Sequence, residues 1–204
     1  MKLLRTFCFV LTFAVATSHA LGDRTQFDTT PPPPVPNPRV ASPIVLGMEL
    51  GVNSLASLVG ARLTWHPVQQ VALDIGGGWS ASGMRGGLGA RYYLWKTSNS
   101  PFVGAAWMRS GGMDSANLDD GKDDRYDQHV IIENLQFVNA VAGYEWRNNE
   151  GLMVAVNTGW SFCLTPEEDR WRKKWGTLSS EASDNLDLMT GSGPILSLHV
   201  GYGF

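Results

Sequence analysis

The residues able to do chemistry fall in four places. Glu49, Asp74, Glu133 and Glu145 share one side of an alternating pattern with Arg62, Arg85, Arg91 and His199. Charges of both signs on one face can compensate each other out of water, or they can line a narrow path for ions. Ser197 and His199 lie two residues apart, Ser161 falls on the same kind of face, and Glu145 could orient a histidine. Serine-based hydrolysis needs such a set, but the simpler reading makes His199 a member of the charge network. Between residues 111 and 128 stand Asp114, Asp119, Asp120, Asp123, Asp124 and Asp127, and clustered carboxylates can hold calcium. The EF-hand spacing fails, because Ala116 and Leu118 stand where oxygen ligands should precede Asp120-Gly121. The reading is a solvated acidic loop, with no metal and no cofactor assigned.

The fourth place is Thr165-Pro166-Glu167-Glu168, which has the form of a capping box with proline at the first helical position. It predicts a short helix to about Trp175. Arg170, Arg172, Lys173 and Lys174 then lie toward its C-terminus, where the helix dipole favours positive charge. Trp171 and Trp175 share a face one turn apart. Such a helix either packs its tryptophans on the structure beneath or meets phosphates or a partner.

The elements that must position these groups alternate with period two, the strand signature. Strands are predicted at residues 44–53, 58–66, 71–79, 84–95, 102–109, 130–146, 152–162 and 195–204. In the first, Ile44, Leu46, Met48, Leu50 and Val52 oppose Val45, Gly47, Glu49, Gly51 and Asn53. The last sets Leu196, Leu198, Val200, Tyr202 and Phe204 against Ser197, His199, Gly201 and Gly203. The sixth breaks phase near Glu133 and Asn134, where a β-bulge is expected. One face is therefore large and apolar, the other small, glycine-rich and charged.

That division suits an all-β, eight-stranded antiparallel up-and-down barrel that crosses a membrane, apolar face to lipid and small polar face inward. A soluble β-sandwich also alternates, but the aromatic residues argue against it. Trp79, Trp107, Trp160 and Phe162 fall toward one end of their strands. Trp65, Tyr92, Trp95, Phe102, Tyr144, Trp146, Tyr202 and Phe204 fall toward the other. Two girdles at headgroup level result. The longest connections, about residues 110–129 and 163–194, both lie at one end, as in barrels whose long loops are extracellular.

Residues 1–20 read as a secretory signal peptide: Lys2 and Arg5, an apolar run from residue 6 to 17, and Ser18-His19-Ala20, with cleavage expected after Ala20. Removing them takes two positive charges, so the formal net charge moves from −3 to −5. An acidic balance argues against nucleic acid as the partner. Only Cys163 remains, which leaves no intrachain disulfide. Residues 21–42 hold Pro31-Pro32-Pro33-Pro34, Pro36 and Pro38 and are read as a periplasmic tether, with the barrel at 43–204.

Three features resemble the small eight-stranded outer-membrane β-barrel family: the signal peptide, Gly89-Ala90-Arg91-Tyr92-Tyr93 followed by Pro101-Phe102-Val103-Gly104, and a last strand ending in Phe204. The resemblance implies the outer membrane of a Gram-negative bacterium, with lipid and lipopolysaccharide around the barrel. It implies that Leu196, Leu198, Val200, Tyr202 and Phe204 form the signal read by the barrel assembly machinery. It is a likeness of architecture and does not carry an activity. The expectation is a non-enzymatic protein with a structural role or a surface role through its extracellular loops, where Arg170 to Trp175 could meet lipopolysaccharide phosphates or an external partner. A narrow channel or small-molecule transporter is one alternative. A lipid-modifying enzyme is another, although no residue pattern of the barrel acyltransferases or deacylases is present.

Overall fold

A computed structural model describes residues 36–118, 128–175, 186–187 and 189–204, with side chains described for all of these but 115–118, 128–129 and 175. The signal peptide and its cleavage point, the tether as far as residue 35 and the acidic loop over 119–127 lie outside the described residues.

The alternating segments form strands because a period of two gives each one a single apolar face to bury or to present to lipid. Those strands are β1 (Ile44–Val52), β2 (Val59–Val68), β3 (Val71–Ser80), β4 (Gly83–Tyr93) and β5 (Ser100–Ser110), then β8 (Leu135–Arg147), β9 (Leu152–Cys163) and β11 (Gly193–Gly203). They close into an eight-stranded antiparallel barrel in which each pairs with its neighbours in sequence and β1 pairs with β11, from Val45 opposite Gly203 to Val52 opposite Leu196. Closure leaves no free edge in the barrel. At one end the strands join by short turns; at the other lie the longer loops.

The outward face is apolar. Leu46, Met48 and Leu50, Leu73 and Ile75, and Leu196, Leu198 and Val200 are all exposed. Trp79, Trp107, Trp160 and Phe162 ring the loop end, and Trp65, Tyr92, Trp95, Trp146, Tyr202 and Phe204 ring the turn end. Tyr144 packs between Trp95 and Trp146, with ring centroids 6.2 and 4.7 Å away. Phe102 does not join this girdle. It is one residue out of phase with outward Val103, so alternation sends it inward, where it is 1% exposed and packs edge-on against Tyr93.

Four expectations need correction beyond Phe102 and the strand ends. The predicted strand over 130–146 divides at Glu133-Asn134, and the break is complete rather than a bulge. Its first part, β7 (Gln128–Ile132), leaves the barrel and forms a three-stranded sheet at the loop end with β6 (Met113–Leu118) and β10 (Trp171–Trp175), in the order β10-β7-β6. The loop helix is the second. Only Glu167–Asp169 forms a single 3-10 turn, and Trp171–Trp175 is extended, with Trp171 opposite Ile132 and Lys173 opposite Val130. The capping box fails because the Thr165 hydroxyl accepts from the Gln136 amide instead. Pairing with β7 then outweighs a weak helical preference.

The third concerns the tether. Residues 37–42 belong to the barrel: Asn37 caps the short helix α1 (Pro38–Ala41), its side-chain amide donates to the Lys96 carbonyl at 3.1 Å, and Arg39 is completely buried. The fourth, the placing of Glu133, belongs to the lumen below.

Glycines open the interior where the β1–β2 loop folds back over it. Gly60 and Gly78 are paired across β2 and β3, and a Cβ on either would stand within 2.5 Å of the Ala56 carbonyl oxygen. Ala56 itself is fully buried there. Gly78→Leu is therefore expected to destabilise the barrel by about 1–3 kcal/mol or more through overpacking. Trp79→Leu, next to it but facing outward, should leave the heat-modifiable folded band intact on a gel. Equal behaviour of the two variants would contradict this inside–outside assignment.

Candidate functional site

The inward face carries the charges, and the barrel is narrow enough for them to meet. An eight-stranded barrel is just wide enough to be filled by its side chains. Asp74 of β3 lies at the centre. It takes Arg62 of β2 at 2.8 Å and a forked contact from Arg91 of β4, at 2.8 Å to Oδ2 and 2.9 Å to Oδ1. The Thr64 hydroxyl donates to Asp74 Oδ1 at 2.6 Å and accepts from Arg91 at 3.1 Å.

From this centre the network runs both ways. Toward β11, Arg62 reaches Glu49 at 3.2 Å, Ser197 donates to the other Glu49 oxygen at 2.8 Å, and Asn157 donates to Ser197 at 2.8 Å. Toward the turn end, Arg91 reaches Glu145 at 3.3 Å, Tyr93 donates to the same oxygen of Glu145, and Arg39 closes the chain at 3.0 Å. Arg39 also donates to the carbonyls of Thr97 and Ser98 at 2.7 and 3.1 Å, and its guanidinium lies 3.7 Å from the centre of the Tyr93 ring. The three carboxylates Glu49, Asp74 and Glu145 thus meet the three guanidiniums Arg39, Arg62 and Arg91, all six buried.

Arg85 and His199 are inside but outside this chain. Arg85 donates to Ser82 at 3.1 Å and lies over the Phe137 ring at 4.3 Å, with no carboxylate against it among the described residues. His199 is fully buried, and neither ring nitrogen has a partner among the described residues. Ser197 gives its proton to Glu49, so the serine–histidine couple that hydrolysis needs is not formed. Ser161 lies six residues along β9 from Ala155, the register partner of His199, roughly 20 Å away at strand rise. Glu133 is not in the lumen. The break in phase puts it outside, where it pairs with Arg172 at 2.8 Å, and both side chains are well exposed. Such a surface pair contributes little.

Reading the sequence missed Arg39, which stands between Pro38 and Val40 with no alternation to give its direction. It passed over Tyr93, Thr64 and Asn157, whose only signal was a place on the inward face. At the loop end the barrel is closed by an apolar layer of Leu55, Met108, Leu135, Phe137 and Leu186, continued by Val130 and Ile132 of β7.

The remaining candidates lie on the surface. Arg170 is half-buried and donates to the Thr165 carbonyl at 3.0 Å, while Trp171 donates to Asp187 at 3.2 Å. Arg172, Lys173 and Lys174 are exposed along β10. Leu196, Leu198, Val200, Tyr202 and Phe204 all point outward on β11, beside β1.

An apolar belt outside, two aromatic girdles, a polar interior whose charges of both signs are linked and long connections at one end now stand together. This is the architecture of a closed eight-stranded up-and-down barrel that turns its apolar face outward. No family model matches the chain, and no curated protein matches it. Among solved structures it is similar to the crystal structure of CarO from Acinetobacter baumannii, at 15% identity and a TM-score of 0.41, over 79% of this chain and 98% of that one. It is also similar to a major outer membrane protein from Thermus thermophilus, at 12% identity and a TM-score of 0.43, over 79% of this chain and 99% of the other.

Losing one member of a buried ion pair strands the other. Arg39→Met is expected to destabilise the barrel by about 3–5 kcal/mol. Adding Glu145→Gln should recover at least about 1 kcal/mol of that loss, because the two sites are coupled. Urea unfolding in detergent micelles measures both, and strictly additive effects would show that the pair is not coupled.

Proposed function

We propose that this chain is a non-enzymatic β-barrel protein of a bacterial outer membrane that works structurally and through its loop-end surface rather than as a conduit. The filled lumen carries this reading. Arg39 closes the turn end, the linked carboxylates and guanidiniums occupy the middle, and Leu55 with Phe137 closes the loop end. An ion entering would have to break contacts between buried charges, each of which is costly to strand. In this reading the N-terminus and short turns face the periplasm, the loops face outside, and β11 with Phe204 is what the assembly machinery reads.

The loop-end surface then meets lipopolysaccharide. Arg172, Lys173 and Lys174 stand exposed on β10, beyond the outer girdle of Trp79, Trp107, Trp160 and Phe162. Cations at that level suit phosphates, with an attraction that salt screens. Polar side chains on a short exposed strand supply binding and no chemistry of their own.

Two measurements test the proposal. In a planar bilayer the refolded mature barrel should be electrically silent; discrete steps that change with Glu49→Gln or Arg62→Gln would replace the plug by a channel. Reversing Arg172, Lys173 and Lys174 to glutamate should weaken binding of the micelle-held barrel to lipopolysaccharide about tenfold or more at low salt. The difference should shrink as salt is raised, and a salt-independent affinity would remove β10 from the interaction.

A further inference from the structure

Between the ionic network and the apolar loop-end layer the lumen keeps one small cavity of about 20 Å³. Ser54 and Leu55 of the β1–β2 loop line it on one side. Arg62, Asn139 and Asn157 also line it, each more than nine-tenths buried. Each of these three holds a polar atom with no hydrogen-bond partner: Nε of Arg62 and Oδ1 of both asparagines.

The orientation of the amides follows from their other contacts. Asn139 Nδ2 donates to the Asn53 carbonyl at 2.8 Å, and Asn157 Nδ2 donates to Ser197 at 2.8 Å. Ser197 has already given its own proton to Glu49, so it must accept from Asn157. Both Oδ1 atoms are left as acceptors and Arg62 Nε–H as a donor. The complement is a molecule that donates twice and accepts once.

Charge and size select among such molecules. Glu49 and Asp74 line the cavity together with Arg62 and Arg91, so its walls are neutral in sum. A cation there would sit beside two guanidiniums, and an anion beside two carboxylates. Accessible space of roughly 10–15 Å³ admits one water, which needs two to four polar partners to stay. We infer that this cavity is a binding site for a single ordered water, which accepts from Arg62 Nε–H and donates to Asn139 Oδ1 and Asn157 Oδ1.

The water has a definite place in the architecture. Through Asn139 and Asn53 it ties the β1–β2 loop to the ionic network at Arg62. Through Asn157 it ties both to the Ser197–Glu49 end. At this height β5 lines the cavity with Ala105 and Ala106, and its Met108 reaches the Asn139 amide nitrogen rather than the free Oδ1. The plug is therefore wet at its centre, and the water leaves only when the plug opens.

The test uses the full mature chain, deuterated, refolded in detergent micelles and studied by NMR. Water–protein cross-relaxation should show a long-lived water at Arg62 Nε–H and at the Asn139 and Asn157 side-chain amides. In Asn157→Leu, which fills the cavity, the Arg62 cross-peak should vanish while the heat-modifiable band remains. The wild-type spectrum decides on its own if that variant does not fold. Absence of the cross-peak at Arg62 Nε–H would overturn the inference. So would an anomalous peak at the cavity in crystals soaked with rubidium, which would put a cation where we place the water.

Discussion

Charge placed inside an eight-stranded barrel has no solvent shell and must find partners within arm's length: carboxylates for Arg39, Arg62 and Arg91, a hydroxyl and an aromatic ring for Arg85. That constraint organises the interior from one end to the other. Asp74 serves Arg62 and Arg91 at once, each of these reaches a further carboxylate, and the outer carboxylate Glu145 is completed by Arg39. Buried ion pairs are a poor source of net stability compared with apolar packing. Their presence follows from what surrounds the barrel: the outer face is committed to lipid, and the inner face takes the polar residues of an alternating chain.

The need to bring opposite walls close enough for these contacts shapes the rest. Small residues on the inward face clear the space: Gly47 lies under His199, Gly60 and Gly78 admit the Ala56 carbonyl, and Gly104 lies beside the Arg91 side chain. Where the strands supply no filler, segments from outside the barrel do. The β1–β2 loop contributes Leu55 at one end and α1 contributes Arg39 at the other. Both plugs are short and covalently continuous with β1, so placing that strand also delivers the two closures.

This explains what could be read in advance. Alternation carries direction, so Glu49, Arg62, Asp74, Arg85, Arg91, Glu145 and His199 were placeable on the inward face from spacing alone, and the structure finds them there. Direction is lost wherever alternation stops. Arg39 follows a proline tract, Glu133 sits at a phase break, and the Trp171–Trp175 segment carries charges that suit a helix end as well as a strand. Phe102 is different: its phase beside outward Val103 points inward, and only its aromatic type suits the girdle. Who pairs with whom was not legible anywhere, because Asp74 and Arg91 meet across β3 and β4 by register and Arg91 and Glu145 meet across the lumen.

The same network also answers how this sheet holds its register. A one-residue slip of a strand turns every side chain to the other face. In a sandwich that would expose a core. Here it would carry Asp74 or Arg91 into lipid and bring Ile75 or Tyr92 against the remaining charges, both expensive in a medium with no water. A two-residue slip keeps the faces but parts one of the pairs, since Asp74 stands opposite Thr64 and Gly89, with Arg62 two residues to one side and Arg91 two residues to the other. Apolar packing against fluid lipid discriminates poorly between registers, because one aliphatic side chain is much like another there. The interior charges discriminate sharply, so the ionic lumen specifies the barrel even where it adds little to its stability.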